Sequence, residues 1–209
     1  AFGRLRGNKP IETTESVLSP VSGSLEGRRW AVKKVCDRAS DKKLEFMSQA
    51  AVMAALTAAL TLWLHIPAGL NGGYIHFGDA VIYLAAALLP KPYAMAAGAA
   101  GGVIADLLTA PLWAPATLLI KPLLVLPFSS GGERIVTRRN TAALVLAFFL
   151  SASGYFLAEG LMFGFHTAFL VSVSGSAVQS GGSALAFLAA GGALDRLQAK
   201  RRWRAGSRG

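Results

Sequence analysis

Four ionisable residues interrupt otherwise apolar stretches of the chain: Asp79, Asp106, Lys121 and Glu159. A charge in a hydrocarbon setting is costly, so each one needs a partner or a function. Two carboxylates that share a proton can activate water, which makes Asp79 and Asp106 a candidate pair for an intramembrane aspartyl protease. The surrounding residues argue against it. Two positions before Gly78-Asp79 stands His76, not the glycine of a Gly-x-Gly-Asp motif, and both aspartates lie at the ends of their apolar stretches. The plainer reading is a buried Asp106–Lys121 pair, with Asp79 capping a helix. The alternative is a polar pocket for Lys121 and Glu159, joined by Gln179, His76 and His166. In that reading Asp79 and Asp106 are structural or gating groups. Trp63, Tyr74, Trp113 and Tyr155 fall at the same level and read first as an interfacial belt. Tyr74 and Trp113 also suit the wall of a site for a planar ring compound, which needs aromatic surfaces and a few placed polar groups.

The elements that must position these residues are apolar helices. Spans are expected at about 46–66, 78–90, 92–109, 115–128, 141–161 and 172–194. A helix of roughly 20 residues crosses a hydrocarbon core of about 30 Å, so the second and fourth are short for the task. Pro122 is expected to kink the fourth. Ala94, Gly98 and Gly102 recur at four-residue spacing on the third, and such small faces let helix backbones approach closely in lipid. The first span carries two neighbouring alanine stripes, Ala50/Ala54/Ala58 and Ala51/Ala55/Ala59. Each set lies on one helical face, and one of the two faces is spare for another protein.

Charge fixes the threading. With six spans, the outer connections 67–77, 110–114 and 162–171 carry no Lys or Arg. The inner ones carry Lys91, Arg134, Arg138 and Arg139, and both termini are basic. Lys/Arg enrichment marks cytoplasmic loops. The expected fold is therefore all-α, an integral membrane bundle of six transmembrane helices with both termini cytoplasmic. Residues 1–43 read as a disordered basic cytoplasmic extension, 44–196 as the membrane domain and 197–209 as a basic cytoplasmic tail. The first 45 residues hold no apolar signal core, so the first span is expected to insert uncleaved.

Composition agrees: 53% hydrophobic, 15% charged, with mean hydropathy +0.47, beyond the range of a soluble domain. The net charge of +10 flanks apolar spans and forms no aromatic-studded groove. Anionic lipid headgroups explain it better than nucleic acid does. The single Cys36 and three histidines show no metal-ligand spacing, no P-loop is present, and no cofactor is called for. An enzyme is not expected.

Three stretches, read together with the Ala51-x-x-x-Ala55 stripe, resemble the substrate-binding S component of an energy-coupling factor (ECF) vitamin transporter, nearest its riboflavin-type branch. They are Gly72-Gly-Tyr-Ile-His-Phe-Gly-Asp79, Ala97-Gly-Ala-Ala-Gly-Gly-Val-Ile-Ala-Asp-Leu107 and Trp113-Ala-Pro-Ala-Thr-Leu-Leu-Ile-Lys121. The resemblance covers about residues 44–198 and is strongest over 72–127. It implies a subunit of the bacterial plasma membrane that captures a vitamin or precursor from outside. It implies docking onto a transmembrane T component driven by two ATPases, with Ala51, Ala55 and Ala59 as the docking face. The ligand would lie in the first outer loop and the outer halves of the later helices, where Asn71, Tyr74, His76, Lys121, Glu159 and Gln179 stand. Three carboxylates against one lysine favour a neutral or cationic ring compound, a flavin or a pyrimidine. A self-sufficient secondary carrier or channel is the alternative, although no internal repeat is evident.

Overall fold

In a computed structural model of the chain, the described residues are 25–67 and 74–206. Helices account for nearly all of them: α1 (Leu25–Trp63), α2 (Gly78–Leu88), α3 (Lys91–Thr109), α4 (Ala114–Val125), α5 (Arg138–Phe163), α6 (Phe165–Arg196) and α7 (Ala199–Gly206). Two three-residue strands, β1 (His65–Pro67) and β2 (Tyr74–His76), pair antiparallel with His65 opposite His76. They flank the loop expected between the first two spans, of which residues 68–73 lie outside the described residues. Among the described residues, three helical stretches are long and apolar enough to cross a membrane: Val32–Trp63, Arg138–Phe163 and Gly175–Arg196. Gly78–Leu88 and Pro111–Val125 are shorter apolar helices.

The described residues up to Asp41 belong to one unit and those from Lys42 onward to another. In the first unit, Leu25–Asp41 is helical, where a disordered extension was expected. After Gly27 the stretch is free of glycine and proline and rich in Arg, Lys and Ala, all good helix formers. Lys34 Nζ lies 4.8 Å from the Trp30 ring centre, one turn away. Residues 1–24, also assigned to that extension, lie outside the described residues.

In the second unit, α2 is the centre. All of its residues except Leu84 and Leu88 are buried, and it packs on α3, α4 and α6. A helix that is hydrophobic on every side belongs inside a bundle. This resolves its length: eleven residues rise only about 16 Å, but a helix enclosed by its neighbours has no lipid face to match. The Tyr83 ring stacks on Phe128 at 5.1 Å, and Phe187 meets both edge-on at 6.2 and 5.8 Å.

Small residues set the helix spacing. A side-chain carbon at Gly101 would strike the Ala54 carbonyl and Thr57 of α1, and one at Gly102 would strike Thr117 of α4. Glycine therefore allows α3 to lie directly against both neighbours. α5 and α6 pack along each other and are joined by Gly164 alone. Its φ of +95° is a conformation that side chains disfavour. The outer connection expected at 162–171 thus shrinks to one residue, and both helices lengthen into it.

The end of the bundle opposite the hairpin is tied by side chains. Asp195 accepts hydrogen bonds from the backbone N–H groups of Ile135 (2.7 Å) and Val136 (2.9 Å). Asn140 donates to the carbonyls of Ser129 (3.1 Å) and Ile135 (2.8 Å). Lys200, in the segment expected to be a plain basic tail, is buried and donates to the Ala87 carbonyl at 2.6 Å. A cation at the last turn of α2 meets the negative end of the helix dipole.

Candidate functional site

At the hairpin end, five elements bring polar side chains to one place. Asp79 stands in the first turn of α2, Lys121 two turns into α4, Gln179 on α6, His76 at the end of β2 and Thr61 in the last turn of α1. Lys121 Nζ donates to Asp79 Oδ1 at 2.6 Å, and the two side chains are 4% and 0% exposed. Gln179 Nε2 donates to Asp79 Oδ2 at 3.1 Å, while Gln179 Oε1 accepts the His76 backbone N–H at 2.6 Å. One glutamine amide thus links the hairpin to the α2 carboxylate. The His76 ring turns inward: its Nδ1 accepts the Gly78 N–H at 3.0 Å and lies 3.3 Å from Thr61 Oγ1. A nitrogen used as an acceptor carries no proton, which places the proton of the neutral ring on Nε2.

Buried polar groups are tolerated when their partners are at hand, and here each carboxylate oxygen of Asp79 has one. Of the two readings weighed for these charges, the plainer one paired Lys121 with Asp106; the ion pair seen is with Asp79. Lys121 points to α2, and Asp106 is buried on α3. A shared-proton aspartate pair fits the arrangement poorly, because both oxygens of Asp79 are engaged by Lys121 and Gln179.

Above this cluster lie aromatic rings. The Tyr155 ring centre is 5.5 Å from Lys121 Nζ, within reach of a cation–π attraction. Its hydroxyl is 3.1 Å from Thr117 Oγ1. Trp113, in the short 3-10 turn Pro111–Trp113, packs against Tyr155 at 6.1 Å and Phe163 at 6.3 Å. From Trp113 inward the order is therefore indole, phenol, ammonium, carboxylate and amide. Glu159 is buried on α5; His166 is exposed. Trp63, read as an interfacial residue, is 90% exposed. Asn71 lies outside the described residues, and only the backbone of Tyr74, in β2, is described.

Several polar participants escaped the sequence reading. Thr61 follows Thr57 by one turn, and Ser176, Ser180 and Ser183 surround Gln179 at helical spacing; all are buried. The signal was present: small hydroxyl residues three and four apart in an apolar helix mark a face turned to other protein.

The two alanine stripes of α1 part company. Ala50, Ala54 and Ala58 are buried, whereas Ala51, Ala55 and Ala59 are exposed. Val52 and Leu56, on the same outer side, are exposed as well.

Comparison with known proteins supplies the family. No curated protein matches the chain. The family described as the ECF-type riboflavin transporter, S component, matches residues 42–196, most of the chain and all the helices that build the polar cluster. S components of this family belong to transporters, not enzymes, and apolar helices of this length agree with a multi-pass membrane protein. The chain therefore belongs to the ECF-type riboflavin transporter S component family.

Proposed function

We propose that this protein is the substrate-capture subunit of an ECF-type importer. It binds a vitamin or vitamin precursor at the hairpin end and passes it inward by docking on a transmembrane T component driven by two ATPases. The observation that carries the docking half is the divergence of the alanine stripes. A helix with one small-residue face packed against its own bundle keeps a second face of the same character exposed. Close helix contact in lipid requires such a surface, and Ala51, Ala55 and Ala59 form it. Six passages, both termini in the cytoplasm and residence in the bacterial plasma membrane complete the reading, supported by the Lys/Arg distribution.

In the capture half, the ligand lies between the hairpin and the outer halves of α4, α5 and α6. His76, Trp113, Lys121, Glu159 and Gln179 surround it, together with Asn71 and Tyr74 of the hairpin. Trp113 and Tyr155 offer aromatic surfaces at this end, which favours a flavin or a pyrimidine-like ring compound. Asp79 and Asp106 act as structural or gating groups, and no cofactor takes part.

The test separates binding from transport. Replacing Ala51 and Ala55 with tryptophan leaves ligand affinity unchanged and abolishes uptake in cells that supply the T component and ATPases. Lost affinity with intact complex assembly overturns the docking assignment.

A further inference from the structure

The polar cluster carries one step more, which rests on the capture reading and concerns the class of ligand admitted. Lys121 is the only Lys or Arg between Lys91 and Arg134, and residues 44–90 and 140–195 contain none. Among the described residues from Leu44 to Asp195, it is thus the one Lys or Arg on the elements that meet at the hairpin end. Its ammonium is 2.6 Å from Asp79 Oδ1, and both side chains are almost fully enclosed. Of the histidines nearby, His76 uses its Nδ1 as an acceptor and His166 is exposed. Two further carboxylates, Asp106 and Glu159, are buried on α3 and α5 toward the same end.

An anionic ligand entering here would meet a cation already taken by Asp79. To pair with Lys121 it would have to displace Asp79, leaving a carboxylate enclosed in low dielectric without its counter-charge. That exchange is unfavourable. An uncharged or cationic ring compound faces no such obstacle. Discrimination of this sort depends on what the site withholds from the wrong ligand as much as on what it offers the right one.

We propose that Asp79 is a specificity-determining residue: by holding the Lys121 ammonium it denies anionic ligands their counter-ion, so the protein takes uncharged or cationic ring compounds and rejects their phosphorylated or carboxylated forms.

The experiment uses the purified full chain in nanodiscs and matched compounds that differ by one phosphate group. The pairs are riboflavin and riboflavin 5′-phosphate, pyridoxine and its phosphate, and hydroxymethylpyrimidine and its phosphate. Affinity is read by thermal stabilisation and titration. The wild-type protein prefers the uncharged member of whichever pair it binds by at least about 100-fold. In Asp79→Asn the freed ammonium accepts the phosphate, and the preference falls to about 10-fold or less, since one decade corresponds to roughly 1.4 kcal/mol. Adding Lys121→Gln to that variant restores the preference for the uncharged member, which a purely structural role for Asp79 does not predict. A wild-type protein that binds the phosphorylated member equally well overturns the assignment, and that arm holds even if Asp79→Asn fails to fold. A folded Asp79→Asn variant with unchanged selectivity overturns it too. Binding to none of the pairs is a separate outcome: it overturns the ring-compound reading of the capture site and takes this assignment with it.

Discussion

Removing one member of the Asp79–Lys121 pair strands the other in a place closed to water. Lys121→Met is expected to destabilise the bundle by about 3–5 kcal/mol, as the loss of one partner of a buried ion pair does. The double variant Asp79→Asn/Lys121→Met is expected to recover most of that loss, because neither charge is then uncompensated. Thermal unfolding in nanodiscs measures both, and equal destabilisation of single and double variants would contradict the pairing. Gln179→Leu acts differently. It deprives the His76 N–H and one Asp79 oxygen of a partner at once, and each orphaned buried group costs about 1–3 kcal/mol. Faster proteolysis at the hairpin relative to the rest of the chain is its expected signature. The ionisable residues themselves were legible in the sequence, because a charge within an apolar stretch stands out. Their pairing was not. The sequence offers Lys121 carboxylates on two helices, and the packing of α2 on α4 brings Asp79 to it.

The helices were easier to locate than to delimit. Of the apolar runs, the one expected at 78–90 ends two residues beyond α2, which stops at Leu88, before Leu89 and Pro90 turn the chain. The same runs placed a loop at 162–171, where α5 and α6 instead meet at Gly164. Aromatic residues in that stretch suited an outer connection with a short interfacial helix, but Phe165 and Phe169 both pack on Phe156 and hold two antiparallel helix ends together. Gly164→Ala puts a side chain into a backbone conformation of positive φ and is expected to cost about 1–2 kcal/mol. The measurement is the unfolding midpoint, and an unchanged midpoint would mean that the turn is not formed as described. At the other end, Asp195→Ala leaves the N–H groups of Ile135 and Val136 without their acceptor. Hydrogen exchange at those two amides is expected to accelerate well beyond that of the adjacent helix α5.

At the scale of the whole bundle, the unit from Lys42 onward, polar and apolar side chains are segregated along its length. The hairpin end gathers His76, Asp79, Lys121 and Gln179; the middle is apolar around Tyr83, Phe128 and Phe187; the opposite end is closed by Asn140, Asp195 and Lys200. Composition and the Lys/Arg pattern were enough to place the chain in a membrane and to orient the expected threading. They gave no hint that the C-terminal segment returns to the bundle, because one lysine among several looks like its neighbours until a helix end is found waiting for it. Lys200→Met is expected to lower the unfolding midpoint measurably, whereas Arg201→Met, on an exposed side chain, is expected to leave it unchanged.

The paired alanine stripes of α1 also constrain what mutations this helix can accept. Neighbouring residues on an α-helix are rotated by about 100°, so Ala50 and Ala51 divide their duties by one step of the spiral. Exchanging either for serine or glycine alters little, but inserting or deleting a single residue between them and Ala58 shifts the register of everything beyond. Ala58 and Ala59 would then no longer continue the stripes begun below them, and neither surface would run unbroken. Gene lineages that keep this helix should thus exchange only small residues along the stripes and hardly vary its length.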